Sequence, residues 1–175
     1  ALNSQNFTTN TDTNNVAVGS AAGTAITTGV NNTLLGGLAG DALTDADENI
    51  AIGSLALTSD TLGSKSVAIG YQSLAFQNFT TATNTYSTAV GYQAGLSITT
   101  GIENTIIGAL AGDALTDADY NVALGRSALT SDTKGSKTVA IGYGVLQNQN
   151  FTTATDPLNV AVGYNAGASV TTGVR

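Results

Sequence analysis

Carboxylates at alternate positions can chelate a hard cation such as Ca2+, and this chain offers that pattern twice. Asp41, Asp45 and Asp47 lie in Asp41-Ala-Leu-Thr-Asp-Ala-Asp-Glu48, and Asp113, Asp117 and Asp119 in Asp113-Ala-Leu-Thr-Asp-Ala-Asp-Tyr120. Neither stretch has the order of an EF-hand loop or of a G-G-x-G-x-D repeat. A solvated acidic turn is the favoured reading; no cofactor is expected, with Ca2+ at these six residues as the alternative. Nucleophilic triads in their usual forms are closed off, because the chain has neither His nor Cys. Paired carboxylates could cleave a glycosidic bond, but a unique active site should break the repeat described below, and these carboxylates follow it. The chain is therefore read as not an enzyme.

Aromatic and hydroxyl residues offer binding chemistry instead. Tyr71, Tyr92, Tyr143 and Tyr164 can stack on sugar rings, or simply cover a neighbouring repeat. Phe7, Phe79 and Phe151 sit in Gln-Asn-Phe-Thr-Thr stretches and are expected to bulge outward, as anchors for a neighbouring chain or, for Phe79 and Phe151, as recognition features. Asn6, Asn78 and Asn150 in the same stretches match the N-glycosylation sequon, which is read as accidental. A column of Thr residues (27, 44, 61, 99, 116, 133 and 171) raises ice binding, against the plainer role of strand-forming ladder.

What positions these residues is a repeat. Ser66-Val67-Ala68-Ile69-Gly70 recurs, lightly varied, in rungs starting at residues 15, 32, 49, 66, 87, 104, 121, 138 and 159. The spacing is 17, 17, 17 and 21 residues, and it builds a 72-residue super-repeat. Residues 1–14 form a partial rung, so 1–175 is read as a single β-solenoid segment, a piece of a longer fibre. Each rung reads as strand, turn, strand, turn, with Gly fixed at position 5, where the backbone needs positive φ or has no room for a Cβ. No useful 3.6-residue apolar period occurs, which excludes long amphipathic helices. One rung cannot bury a face alone, whereas stacked rungs share a continuous core. The fold class is thus all-β, a parallel β-solenoid of 17- and 21-residue rungs.

Position 4 (Val18, Leu35, Ile52, Ile69, Val90, Ile107, Leu124, Ile141, Val162) is aliphatic in every rung and is assigned to the interior of the roll. Position 3 alternates with it and should face outward. That column is also apolar: Ala17, Leu34, Ala51, Ala68, Ala89, Ile106, Ala123, Ala140 and Ala161. A strand apolar on both faces is buried on both, so position 3 is expected to be the interface with other copies of the chain.

Composition narrows the partners. The net charge is −7, and only Lys65, Arg126, Lys134, Lys137 and Arg175 could neutralise phosphate, which disfavours nucleic acid and anionic membranes. No apolar run approaches the ~18 residues of a membrane-spanning helix, so no membrane insertion by this segment is expected.

Ser66-Val-Ala-Ile-Gly-Tyr-Gln-Ser73 resembles the head repeat of trimeric autotransporter adhesins, the YadA-like head, and the related repeats of phage tail fibres. Nine copies carry the resemblance along nearly the whole chain. It implies a left-handed parallel β-roll, packed as a homotrimer about a shared axis, and a role in attachment at a cell surface or on a virion. The usual family rung is shorter than these, so the outer turns should be swollen. The expected function is a structural, adhesive extracellular fibre segment, either bacterial adhesin head or phage fibre shaft, with a host-surface or matrix receptor as possible partner. The alternatives are a self-stacking filament subunit, or a glycan- or ice-binding solenoid.

Overall fold

The computed structural model describes residues 1–8 and 10–175. The strands are β1 (Val16–Val18), β2 (Thr33–Leu35), β3 (Ile50–Ile52), β4 (Gly63–Ser64), β5 (Val67–Ile69), β6 (Thr83–Asn84), β7 (Thr88–Val90), β8 (Thr105–Ile107), β9 (Val122–Leu124), β10 (Val139–Ile141) and β11 (Val160–Val162). No helix occurs among the described residues. Nine strands form one parallel sheet in the order β1-β2-β3-β5-β7-β8-β9-β10-β11, and β4 pairs with β6. Partners are equivalent rung positions: Ala17 pairs with Leu34, Ala51 with Ala68, and Ala68 with Ala89. The result is a β-solenoid of about nine turns, roughly 38 Å from first strand to last at ~4.8 Å per strand.

The rungs turn sharply because several residues per rung occupy the left-handed backbone region. Lys65, Gln72 and Leu74 are one such set, with φ of 64°, 54° and 49°. The position-5 glycine has a second reason to be fixed. A Cβ on Gly53 would sit 2.4 Å from the carbonyl oxygen of Gly70 in the next rung, closer than any side chain tolerates. The second strand expected in each rung forms only as β4 and β6, with an isolated bridge from Gly135 to Thr155. Elsewhere that wall is held by single contacts, such as Thr27 N donating to Thr44 O at 3.0 Å. The left-handed residue ahead of each main strand ends the extended run before it can lengthen.

The two faces of the main sheet are the reverse of the sequence expectation. The position-3 residues Leu34, Ala51, Ala68, Ala89, Ile106, Ala123 and Ala140 are fully buried within the chain, and Ala17 and Ala161 pack partly buried at its ends. Positions 2 and 4 point outward: Val16, Val18, Leu35, Ile50, Leu124, Val160 and Val162 are all exposed. The cause is volume. The cross-section holds at most one large side chain between position 3 and position 9, on the wall opposite; where both are small, as at Ala17 with Gly23 and Ala89 with Gly95, Leu34 or Leu74 of the adjoining rung reaches in. Where position 3 is Leu34 or Ile106, position 9 of the same rung is Gly40 or Gly112; where it is Ala51, Ala68, Ala123 or Ala140, position 9 is Leu57, Leu74, Leu129 or Leu146. A Cβ on Gly40 would fall 2.8 Å from Leu34 Cδ2, so the glycine makes room for the leucine. Branched residues at both position 2 and position 4 have no such allowance inside and go outside.

Polar layers interrupt this core. Asn32, Asn49, Asn104 and Asn121 open their rungs fully buried. Each Oδ1 accepts the backbone N–H of the next rung (Asn32 from Asn49 at 3.0 Å), and each Nδ2 donates across the rung (Asn49 to Gly63 O at 2.9 Å). The ladder costs nothing in unpaired groups and fixes which rung faces which. Asp60 and Asp132 are also fully buried. Asp60 accepts from Gly63 N at 3.1 Å, Phe79 N at 3.0 Å and Gln77 Nε2 at 2.6 Å, and Asp132 accepts from the equivalent Gly135, Phe151 and Gln149. Three donors replace the water that a buried carboxylate loses.

Candidate functional site

The feature that stands out is the outward face of the main sheet. Its eighteen inner positions are Val, Ile or Leu, apart from Thr33, Thr88 and Thr105. The face carries no charge on those positions, though the chain holds −7 overall. These two columns measure roughly 38 Å by 10 Å, taking three extended residues across and eight strand spacings along. The two columns make a continuous, largely apolar stripe of roughly 380 Å2, the size of the largest such patch on an ordinary monomer. Exposure is uneven, from 72 % at Val160 on the last strand to only partly exposed at central residues such as Val67, Ile69 and Val90; the terminal strands lack a neighbour on one side.

The residues proposed from sequence fall into three groups. The position-3 column named as an oligomer interface is not at a surface, for the packing reason given above; the outward face is made by positions 2 and 4. The tyrosines are exposed as expected and are brought together in pairs. Tyr71 stacks on Tyr92 with centroids 5.6 Å apart, and Tyr143 on Tyr164 at 5.3 Å. Beneath the first pair, Gln93 Nε2 donates to Gln72 Oε1 at 2.8 Å. Phe79 and Phe151, expected to bulge out, turn inward and are 6 % and 7 % exposed. Their backbone N–H groups are tied to Asp60 and Asp132, and their rings close over the polar layers. The aromatic left outside is Phe76, 53 % exposed, and the swollen turn carries Thr80, Thr81 and Ala82.

The acidic turns do not assemble into a chelating cluster. Asp41 Oδ1 accepts from Thr58 Oγ1 at 2.6 Å, one rung ahead, while Asp45 and Asp47 accept from Thr28 Oγ1 and Val30 N, one rung behind. Asp113, Asp117 and Asp119 repeat this with Thr130, Thr100 and Ile102. Among the described residues no three such groups converge on a metal-sized site. Burial pushes the Asp113 carboxyl above the usual carboxylate range, opposed by its hydrogen bond from Thr130. The Thr column spends its hydroxyl protons along the stack, Thr44 on Thr61 O at 3.1 Å and Thr116 on Thr133 O at 3.0 Å. A surface array for ordered water would need those groups free.

Two features escaped the sequence reading. The asparagine ladder was visible as position 1 of the repeat, but its spacing alone does not say that the side chains point inward. The Asp60–Gln77 and Asp132–Gln149 pairs were visible as polar interruptions of an otherwise aliphatic position-12 column, Ile26-Leu43-Asp60-Gln77-Ile98-Leu115-Asp132-Gln149. No family model, no curated protein and no solved structure matches the chain.

Proposed function

We propose that this chain is a structural, adhesive segment of an extracellular fibre, built as a homotrimer whose three solenoids stand side by side about a common axis. The observation that carries the reading is the uncharged aliphatic face that runs the length of the main sheet with nothing in its own chain to cover it. Two further copies about an axis parallel to the stack would cover it. The resemblance of the repeat to trimeric adhesin heads and phage fibres agrees with that arrangement and with a left-handed roll. In this assembly the repeats supply length and stiffness, since each rung is tied to the next by the backbone and by the buried asparagines. The exposed turns at residues 80–82 and 152–154 are where a receptor would meet it.

Size-exclusion chromatography with light scattering tests the reading. The expected mass is three times the 17.4 kDa of one chain. Ile69→Glu together with Ile141→Glu should give single chains that keep a β-type circular dichroism spectrum. A wild-type monomer, or a double variant that stays trimeric, overturns it.

A further inference from the structure

The outward face is wider than its two aliphatic columns. Along Lys65, Val67, Ile69 and Tyr71 every second residue stays accessible, while Ser66 and Ala68 between them are buried. Lys65 and Tyr71 lie in the turns just past the two ends of the strand and are accessible as well. The residue two before each strand forms one margin of the face, and the residue two after it forms the other.

These margins change character together. Lys65 and Tyr71 flank β5, and Lys137 and Tyr143 flank β10. The sharper cases are equivalent rungs 72 residues apart. Asn14 and Ser20 flank β1, but Tyr86 and Tyr92 flank its equivalent β7. Glu48 and Ser54 flank β3, but Tyr120 and Arg126 flank its equivalent β9. In the rungs of β5, β7, β9 and β10 an aromatic ring on one margin is matched on the other by an aromatic ring or a cation; the last strand, β11, departs from this, with Leu158 opposite Tyr164. Where one margin is small, as at Gly37 and Ala109, the other is Asn31 or Glu103.

Within one chain the two margins cannot meet. Six extended residues hold them about 20 Å apart, across the apolar columns. The contacts inside the chain run along a margin instead: Lys65 Nζ lies 5.4 Å from the Tyr86 ring centroid, and the Arg126 guanidinium 5.8 Å from that of Tyr143. A correlation across the strand therefore points to contact between copies.

We propose that one margin of each copy docks on the opposite margin of the next copy at the same rung height, pairing Lys65 with Tyr71, Tyr120 with Arg126, and Lys137 with Tyr143. The occupant of the face is thus a second copy of this chain, held in register by cation–π and aromatic pairs. This rests on the proposal above that copies cover the face. Rotation about an axis parallel to the stack brings unlike margins together at equal height, and it closes. A twofold axis along the strands would oppose like margins of different rungs. It would place Lys65 against a lysine-bearing margin and leave the paired changes unexplained.

The chain has no Cys, so thiol cross-linking reads the pairing directly. The full chain carrying Lys65→Cys and Tyr71→Cys, treated with a short bismaleimide, is expected to run as covalent multimers on a denaturing gel. Lys137→Cys with Tyr143→Cys should do the same. Each single variant should stay a single chain, as should Lys65→Cys with Tyr143→Cys, whose strands lie about 19 Å apart along the stack. Light scattering is read on the same samples. A multimer of wild-type mass that does not cross-link in either matched pair overturns the margin pairing and leaves the covered face standing. Efficient cross-linking of a single variant overturns it as well, because it puts like margins together. A monomeric wild type overturns both.

Discussion

One three-residue strand, Val67-Ala68-Ile69, presents two apolar sides that obey different rules. On the inner side size is answered in the same chain: Leu34 is met by Gly40 and Ala68 by Leu74, and where both positions are small, as at Ala89 and Gly95, Leu74 of the adjoining rung reaches in. Most polar groups there are paired, as the asparagine ladder and Asp60 are, with Gln77 Oε1 an exception. On the outer side the side chains are Val, Ile or Leu at all but three positions, Thr33, Thr88 and Thr105, and show no such exchange of volume with another wall of the chain. Close packing is the mark of a finished core. A face that has much of the composition of a core without its complementary partner is what the proposed assembly of copies would cover.

Substitutions on the two sides should separate cleanly. The largest effect is expected of Ala68→Glu, which buries an unpaired carboxylate at a cost of several kcal/mol, comparable with the whole stability of a domain. The chain should lose its β-type circular dichroism, whereas Ile69→Glu keeps it and changes only the mass. The reverse outcome would restore position 3 as the outer face. Next is Leu34→Ala, expected to cost about 2–5 kcal/mol in urea unfolding because Gly40 cannot fill the space. Leu35→Ala, on the outer side, should cost about 0.5 kcal/mol in dissociated chains; equal losses would erase the distinction.

A smaller change should improve the inner side. Gln149 Oε1 accepts from Asn159 Nδ2 at 2.8 Å, but the equivalent Gln77 Oε1 is buried with no partner, because Ser87 stands where Asn159 does. Ser87→Asn should raise stability by about 0.5–1.5 kcal/mol, seen as a higher melting temperature; a lower one would show that the layer has no room. The smallest effect is expected at Asp113. Its carboxyl is held above the ordinary range chiefly by burial, so the folded chain disfavours the charged form, and stability falls as pH rises through the ordinary carboxylate range and the raised folded value. Asp113→Asn keeps an acceptor for Thr130 and should melt slightly above wild type at pH 7, with the gap closing at pH 3. A variant that melts lower at pH 7 contradicts this.

The fold was legible because its cause is periodic. Nine glycines in register and a fixed 17-or-21 spacing leave stacking as the only way to bury so short a unit. The direction of the faces was not legible from alternation, since alternation only says that positions 3 and 4 oppose each other. The missing signal lay in comparing position 3 with position 9: Leu34 with Gly40 and Ala51 with Leu57 trade volume, and only residues that share a core do so. Phe79 misled for a related reason. A Phe in an insertion looks exposed until its N–H is seen to bond Asp60, nineteen residues earlier in the chain and one rung away. The left-handed backbone at Lys65, Tyr86 and Tyr120 carries no sequence signature, because none of these is a residue that favours it.

The outer face can be interrogated at a single atom. With no native thiol, Ile69→Cys reports directly on whether that face is covered, with Ser131→Cys in an outer turn as reference. If copies cover the face, Ile69→Cys should label with a maleimide far more slowly than Ser131→Cys at concentrations where light scattering finds three chains, and as fast once dilution gives single chains. Labelling of Ile69→Cys at the rate of Ser131→Cys in the assembled state would contradict the account.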